Sequence, residues 1–352
     1  MRPFPATARA TLIAALAFVV AACGTGASRS PGTPSAQPPE SGAPNESTEP
    51  SAAPVALTVG LGYIPNVQFA QFYLAQQSGA YADAGLDVTL QNKIDPDLIT
   101  LLGQGAVDIG SGDGTSVIPA VSQGIPVVYT ATIYGKFPSI VLARADSGIT
   151  KAADLRGKKI GIPGKYGSSW IMLQALLQSG GLTPADVDIV EFPDFGQAAA
   201  LQQGAVDAAT GFANNEPIQL RKAGIEPVVL TVDDIVPLPG PGLVTGKATL
   251  ETKRDALGAF TLVTLNAMDE IAADPQKGLD ATFAAVPDLA KDPELQRQIL
   301  DATIATWQNP RTDAYGAIDR DGWQQSLEFM TTLGLVPNPV TVDQLVDETL
   351  LP

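Results

Sequence analysis

The 352-residue chain carries 21 Lys and Arg against 37 Asp and Glu, a formal net charge of −16, with one cysteine and no histidine. Without histidine neither a Ser-His-Asp nor a Cys-His nucleophile can be assembled, and histidine-based zinc or iron centres are excluded. A chain this acidic lacks the clustered cations that displace counterions from a phosphate backbone, so nucleic acid is excluded as a partner.

In chain order, residues 1–22 read as a lipoprotein signal peptide: Arg2 and Arg9 form the positive region and Thr11 to Ala22 the apolar run, too short to span a bilayer. The run ends in Val20-Ala21-Ala22-Cys23-Gly24, which resembles the bacterial lipobox. Lipidation is therefore expected on Cys23, placing the protein outside the cytoplasmic membrane and anchored to it. Residues 23–54, rich in Ser, Pro, Gly, Ala and Glu, cannot bury enough surface to offset ordering entropy and are expected to be a disordered tether. With no later cysteine, the exported body must rely on a large core rather than disulfides.

From 55 to 232 short strand-like runs alternate with helical ones, the pattern of an α/β fold with mainly parallel strands. Val55 to Leu61 alternates with period two, a helix is predicted from Val67 to Ser78, and Leu86, Val88 and Leu90 form a second alternating run. Val107 to Gly110, Val127 to Thr132 and Ile140 to Ala143 complete a first set. Lys159 to Ile162, Asp188 to Phe192, Val206 to Ala209 and Pro227 to Thr231 make a second. The sets share a local grammar: Leu102-Gly103-Gln104-Gly105-Ala106-Val107-Asp108 recurs as Leu201-Gln202-Gln203-Gly204-Ala205-Val206-Asp207. Two related lobes are expected, with a ligand cleft between the carboxyl ends of their strands. Beyond 250 the spacing turns helical, over Thr249 to Ala273, Pro275 to Phe283, Pro293 to Trp307, Asp321 to Leu333 and Thr341 to Leu350. Trp307, Trp323 and Phe329 read as core, and Thr341 with Gln344 as a capping box.

These features resemble the extracytoplasmic substrate-binding proteins of ATP-driven importers. Within them, Gly62-Tyr63-Ile64-Pro65-Asn66, Gly79-Ala80-Tyr81, Gly85-Leu86-Asp87-Val88, Gly105-Ala106-Val107-Asp108, Asp154 to Gly161, Asn215-Glu216-Pro217 and Gly334-Leu335-Val336 are similar to the NMT1/THI5-like group, which is related to thiamine-pyrimidine synthases. The resemblance implies a two-lobed type II periplasmic-binding-protein fold: 55–143 and 238–352 form a discontinuous first lobe, and 144–237 the second. It further implies a binding role and no cofactor, while the lack of a histidine departs from the group's enzymes and leads us to expect no enzymatic activity. The partners implied are an ABC permease with its ATPase, and the protein itself is expected to be a monomer. The group's enzymes use a histidine of their own as a reactant, and this sequence has none.

The loops predicted to face the cleft carry Tyr63, Phe69, Phe72, Tyr73, Tyr134, Phe137, Tyr166, Trp170, Phe192, Phe195 and Phe212. Phe69, Phe72 and Phe192 are assigned to helix-to-sheet packing. Tyr63, Tyr134, Tyr166 and Trp170 are assigned to stacking on a planar ring, at about 0.5–1.5 kcal/mol per contact beyond area burial. Asn66, Gln68, Asp113, Thr115, Asn214, Asn215 and Glu216 both donate and accept or can be made to, which suits the edge of an uncharged heterocycle. Gly167, Ser168 and Ser169, with Ser168 as N-cap, are expected to donate to a ligand oxygen, with Lys136 or Lys165 nearby were that oxygen charged. Arg is absent from these loops, which disfavours a sulfonate or nitrate. The motif combination is most similar to riboflavin-uptake proteins, with thiamine-pyrimidine precursors second and an enzyme acting on the same heterocycles as the competing reading.

Overall fold

The computed structural model describes residues 53–92, 97–233, 235–312 and 314–352. The expected signal peptide, Cys23 and nearly all of the tether lie outside the described residues. The described residues form one compact unit. No helix among the described residues is long and apolar enough to cross a membrane.

Among the described residues ten strands form two five-stranded sheets. They are β1 (Val55–Leu61), β2 (Leu86–Asn92), β3 (Ile109–Asp113), β4 (Val127–Thr132), β5 (Ser139–Arg144), β6 (Lys159–Ile162), β7 (Asp188–Glu191), β8 (Ala208–Phe212), β9 (Pro227–Leu230) and β10 (Pro241–Gly246). The strand orders are β2-β1-β3-β10-β4 and β7-β6-β8-β5-β9. In each sheet the fourth strand is the one that arrives from the other lobe, and it alone runs antiparallel to its neighbours: β10 against β3 and β4, β5 against β8 and β9. The chain therefore crosses between lobes twice, as the type II architecture requires.

Ile140 to Ala143 is expected in the first set, with a lobe boundary after residue 143, but β5 pairs Val141 with Thr210 and Leu230 in the second sheet, which corrects that boundary. The first crossing lies between Thr132 and Ser139. A run buried on both faces has the same composition whichever sheet accepts it, so hydropathy cannot choose between lobes. The second crossing, between Leu230 and Pro241, contains the expected boundary at 237/238.

The repeated heptapeptide has one geometry in both lobes. Asp108 N donates to Thr58 O at 2.9 Å and its Oδ2 accepts from Thr58 N at 2.8 Å; Asp207 does the same with Lys159 O and N at 2.9 and 2.8 Å. Gly105 and Gly204 make the turn at φ of +70° and +72°, a region glycine enters without steric cost. The aspartate at each strand start thus pins the turn to the neighbouring parallel strand.

The first lobe's core gathers Leu57, Val59, Phe72, Phe260, Met268, Leu300 and Trp307. Phe260 stacks on Tyr81 at 5.0 Å and on Phe72 at 6.2 Å. Trp307 and Trp323 are buried and Phe329 packs partly buried, as expected. The segment predicted as a helix from 341 to 350 is helical only over Val342–Leu345, under the expected Thr341/Gln344 capping box. It then turns to the open edge of β4, where Val346 bridges Tyr129 and Asp347 N donates to Tyr129 O at 2.9 Å. An edge strand's unpaired backbone groups compete successfully with a short helix for those hydrogen bonds.

A second apolar cluster runs through both lobes, where helix Gly114–Ser122 meets helix Gly167–Ser179: Val117, Ile118, Ile171, Met172 and Leu176 belong to it. At the crossings the backbones approach so closely that only glycine fits. A Cβ on Gly135 would lie 2.2 Å from Asn309 N and 2.6 Å from Gln308 C. Gly135→Ala is expected to cost at least about 1–3 kcal/mol, because backbone rather than a movable side chain must yield. Calorimetry should show a lower Tm, and an unchanged one would mean the crossing relaxes freely.

Candidate functional site

The two sheets present the carboxyl ends of β1, β3, β6 and β8 to a common cavity. It encloses about 880 Å3 of empty space, counting the open solvent at its mouth. Tyr63, Gln68, Phe69, Ser111, Asp113 and Tyr134 line it from the first lobe and its crossing; Tyr166, Gly167, Ser168, Ser169, Phe195, Gln197, Phe212, Asn215 and Glu216 line it from the second. Ten of the sixteen sequence-assigned residues are thus brought together: Tyr63, Gln68, Asp113, Tyr134, Tyr166, Gly167, Ser168, Ser169, Asn215 and Glu216.

Six are not. Asn66 caps the short helical turn Val67–Phe69, its Oδ1 accepting from Gln68 N at 3.0 Å. Thr115 is fully buried inside helix Gly114–Ser122, away from the cavity. Lys136 is exposed, with its backbone N donating to Thr306 O; Lys165 is exposed too. Trp170 lies one turn into helix Gly167–Ser179, half-buried against the apolar cluster shared by the lobes. Asn214 spends its Nδ2 on Thr303 Oγ1 at 2.8 Å and Tyr134 OH at 3.4 Å, tying the second lobe to helix Pro293–Trp307.

Phe69 packs in the first lobe's core beside Phe72, as expected, and lines the cavity as well; Phe72 is core alone, and Phe192 packs at the second sheet as expected. Phe195 and Phe212 were among the strand-end aromatics but not among the assigned contacts. Gln197 carried no sequence signal, because a glutamine opening a helix has the appearance of an ordinary surface residue.

The lobes touch around the cavity. Tyr63 and Phe195 meet edge to face at 4.7 Å. Lys222 pairs with Asp292, a half-exposed bridge of small energetic worth. Asp113 Oδ2 accepts from Ser168 N at 3.1 Å. This last contact revises the expected role of the Gly167–Ser169 turn: the N-cap is Tyr166, and Ser168 sits in the first helical turn, where its N–H meets a carboxylate of the opposite lobe. An anion at a helix N-terminus is favourable, and here the protein supplies it. Tyr166 is held by Gly164, on which a Cβ would fall 2.3 Å from the Tyr166 ring.

Electrostatically the lining is acidic, with two carboxylates and neither Lys nor Arg. Burial pushes the Asp113 carboxyl above its ordinary value, with the Ser168 hydrogen bonds opposing. Burial likewise raises Glu216, against hydrogen bonds from Phe212 N at 2.6 Å and Asn215 Nδ2 at 3.0 Å. Burial first, then the Glu216 charge, drives the Tyr63 phenol far above its usual range, and burial does the same to Tyr134, so both stay neutral.

A carboxyl whose pKa is raised on folding binds more protons in the native state. Its contribution to stability is complete below the unfolded-state value and is lost as pH rises through the folded one. The melting temperature of the unliganded protein is therefore expected to fall as pH climbs from just above the ordinary carboxylate range. In Glu216→Gln that slope should flatten, as read from paired melts across pH; an identical slope would remove Glu216 from the account.

The profile of the family described as NMT1/THI5 like matches residues 66–278. The chain is 34% identical over 348 residues, 97% of each sequence, to the riboflavin-binding protein RibY of Chloroflexus aurantiacus. This chain belongs to the NMT1/THI5-like family. It is also 26% identical to a formylaminopyrimidine-binding protein of Halalkalibacterium halodurans, over 81% of this chain and 87% of that one. Among solved structures, the alkanesulfonate-binding protein SsuA of Xanthomonas axonopodis pv. citri superposes with a TM-score of 0.68 at 18% identity, covering 85% of this chain and all of that one. The fold is thus that of periplasmic solute-binding proteins.

Proposed function

We propose that this protein is the solute-binding component of an ABC importer, lipid-anchored through Cys23 outside the cell membrane, and that its solute is riboflavin. The observation that carries the ligand class is the lining: six aromatic rings, Tyr63, Phe69, Tyr134, Tyr166, Phe195 and Phe212, with two carboxylates and no cation. Such a cavity favours a flat, uncharged molecule held by its faces and repels a sulfonate or nitrate. The near full-length similarity to a riboflavin-binding protein supports the same ligand. Contacts from both lobes give a ligand higher affinity for the closed arrangement, which a permease can then recognise.

The test is titration of riboflavin with the purified protein, following flavin fluorescence, alongside thermal melts. Saturation at 100 times Kd raises stability by about 2.7 kcal/mol. Taurine or nitrate should leave the melt unmoved. Absence of quenching and of any melt shift with riboflavin overturns the reading; a shift with an aminopyrimidine alone transfers it to thiamine precursors. Recovery of chemically unaltered riboflavin by mass spectrometry separates binding from enzymatic turnover.

A further inference from the structure

Two buried amides in the cavity each leave one polar atom without a partner, and they come from opposite lobes. Gln68 sits in the turn Val67–Phe69 at 5% exposure, its backbone held by Asn66 Oδ1, and its Nε2 has no acceptor. Gln197 opens helix Gln197–Gln202 at 3% exposure; its Nε2 donates to Thr210 O at 3.3 Å and its Oε1 has no donor. The Thr210 bond decides the amide's orientation, since a flipped Gln197 would set Oε1 against a carbonyl, acceptor against acceptor. Both residues line the cavity. A buried donor or acceptor left unpaired carries its full desolvation cost, so a ligand that completes both is selected over one that completes neither.

We propose that Gln68 and Gln197 are the specificity pair of the site, reading a lactam edge on the ligand: a ring carbonyl accepts from Gln68 Nε2 and a ring N–H donates to Gln197 Oε1. The inference rests on the riboflavin reading and deepens it, because the pyrimidinedione ring of a flavin carries an N3–H flanked by two carbonyls. With one amide on each lobe, both hydrogen bonds form only when the lobes are together, so edge recognition is coupled to closure. Aromatic faces are indifferent to the chemistry of a ring's rim; the amides supply that discrimination.

The experiment compares riboflavin with 3-methylriboflavin, in which the donor is replaced by a methyl group, by fluorescence titration of the unaltered protein and of Gln197→Leu and Gln68→Leu. The unaltered protein should bind the methylated flavin about tenfold more weakly, equivalent to about 1.4 kcal/mol. Gln197→Leu should bind riboflavin about tenfold more weakly and lose the discrimination, whereas Gln68→Leu should weaken both flavins by a common factor and keep it. Equal affinity of the unaltered protein for the two flavins overturns the proposal while leaving riboflavin binding intact. Discrimination persisting in Gln197→Leu also overturns it, since that result assigns the effect to the methyl group's bulk. No binding of riboflavin at all overturns the functional reading itself, and this inference with it. The comparison on the unaltered protein needs no variant to fold.

Discussion

Phe195→Gly is expected to weaken riboflavin binding by roughly 10–100-fold while leaving the melting temperature nearly unchanged. Phe195 is the one non-glycine residue at positive φ among the described residues, at 60°. A bulky side chain in that left-handed region costs about 1–3 kcal/mol, and glycine relieves it. The relief is offset by the greater freedom glycine gives the unfolded chain, about 0.4–1 kcal/mol, and by loss of the edge-to-face contact with Tyr63, about 0.5–1.5 kcal/mol. Affinity has no such compensation, because burying a phenyl group against a ligand contributes about 1.5–3 kcal/mol. Strain retained at a cavity wall is what a ring held in place for recognition would show. Unchanged affinity with a lower Tm would make Phe195 a packing residue only. Phe195→Tyr, which keeps the ring, should stay within a few-fold of the unaltered protein.

Glu216→Ala is expected to lower both stability and affinity. Glu216 is 8% exposed and anchors a chain of hydrogen bonds: Gln219 Nε2 donates to Asn215 Oδ1, Asn215 Nδ2 to Glu216 Oε1, and Phe212 N to Glu216 Oε2. Its Cγ and Cβ also lie against Gly211, where a Cβ would fall 2.9 and 3.0 Å away. Truncation leaves the Phe212 N–H and the Asn215 amide without their acceptors, each at about 1–3 kcal/mol. A loss of about 2–4 kcal/mol should appear as a Tm lower by about 5–10 °C. The β8 end then loses the support that positions Phe212, so riboflavin affinity should fall more than tenfold. Glu216→Gln retains one acceptor and should lose much less. Equal losses in the two variants would show that charge, rather than this hydrogen-bond chain, is what the site requires.

Much of the site was legible because an open α/β sheet presents its functional side chains at the carboxyl ends of strands. That rule placed Tyr63 after β1, Asp113 at the end of β3, Tyr166 after β6 and Glu216 after β8, and all four meet in the cavity. It failed one helical turn later. Tyr166 and Trp170 are four residues apart on the same connection, yet the first lines the cavity and the second leaves its end for the helix flank, packing on the shared apolar cluster. Asn214 and Asn215 are adjacent and diverge likewise, because consecutive side chains point in different directions and only packed neighbours determine which direction is inward.

Local regularities of the chain were enough to establish the strands, the duplicated turn, the absence of histidine chemistry and the expectation of two related lobes. They are set by period, turn residues and composition, which act over a few neighbours along the backbone. Which lobe takes β5, where the C-terminal segment finds hydrogen bonds, that Asp113 rather than a ligand meets Ser168, and which amide atoms remain unpaired in the cavity were decided by folding. The first three depend on groups 50 or more residues apart competing for the same donor, acceptor or apolar surface, and that competition has no trace in any short stretch of sequence.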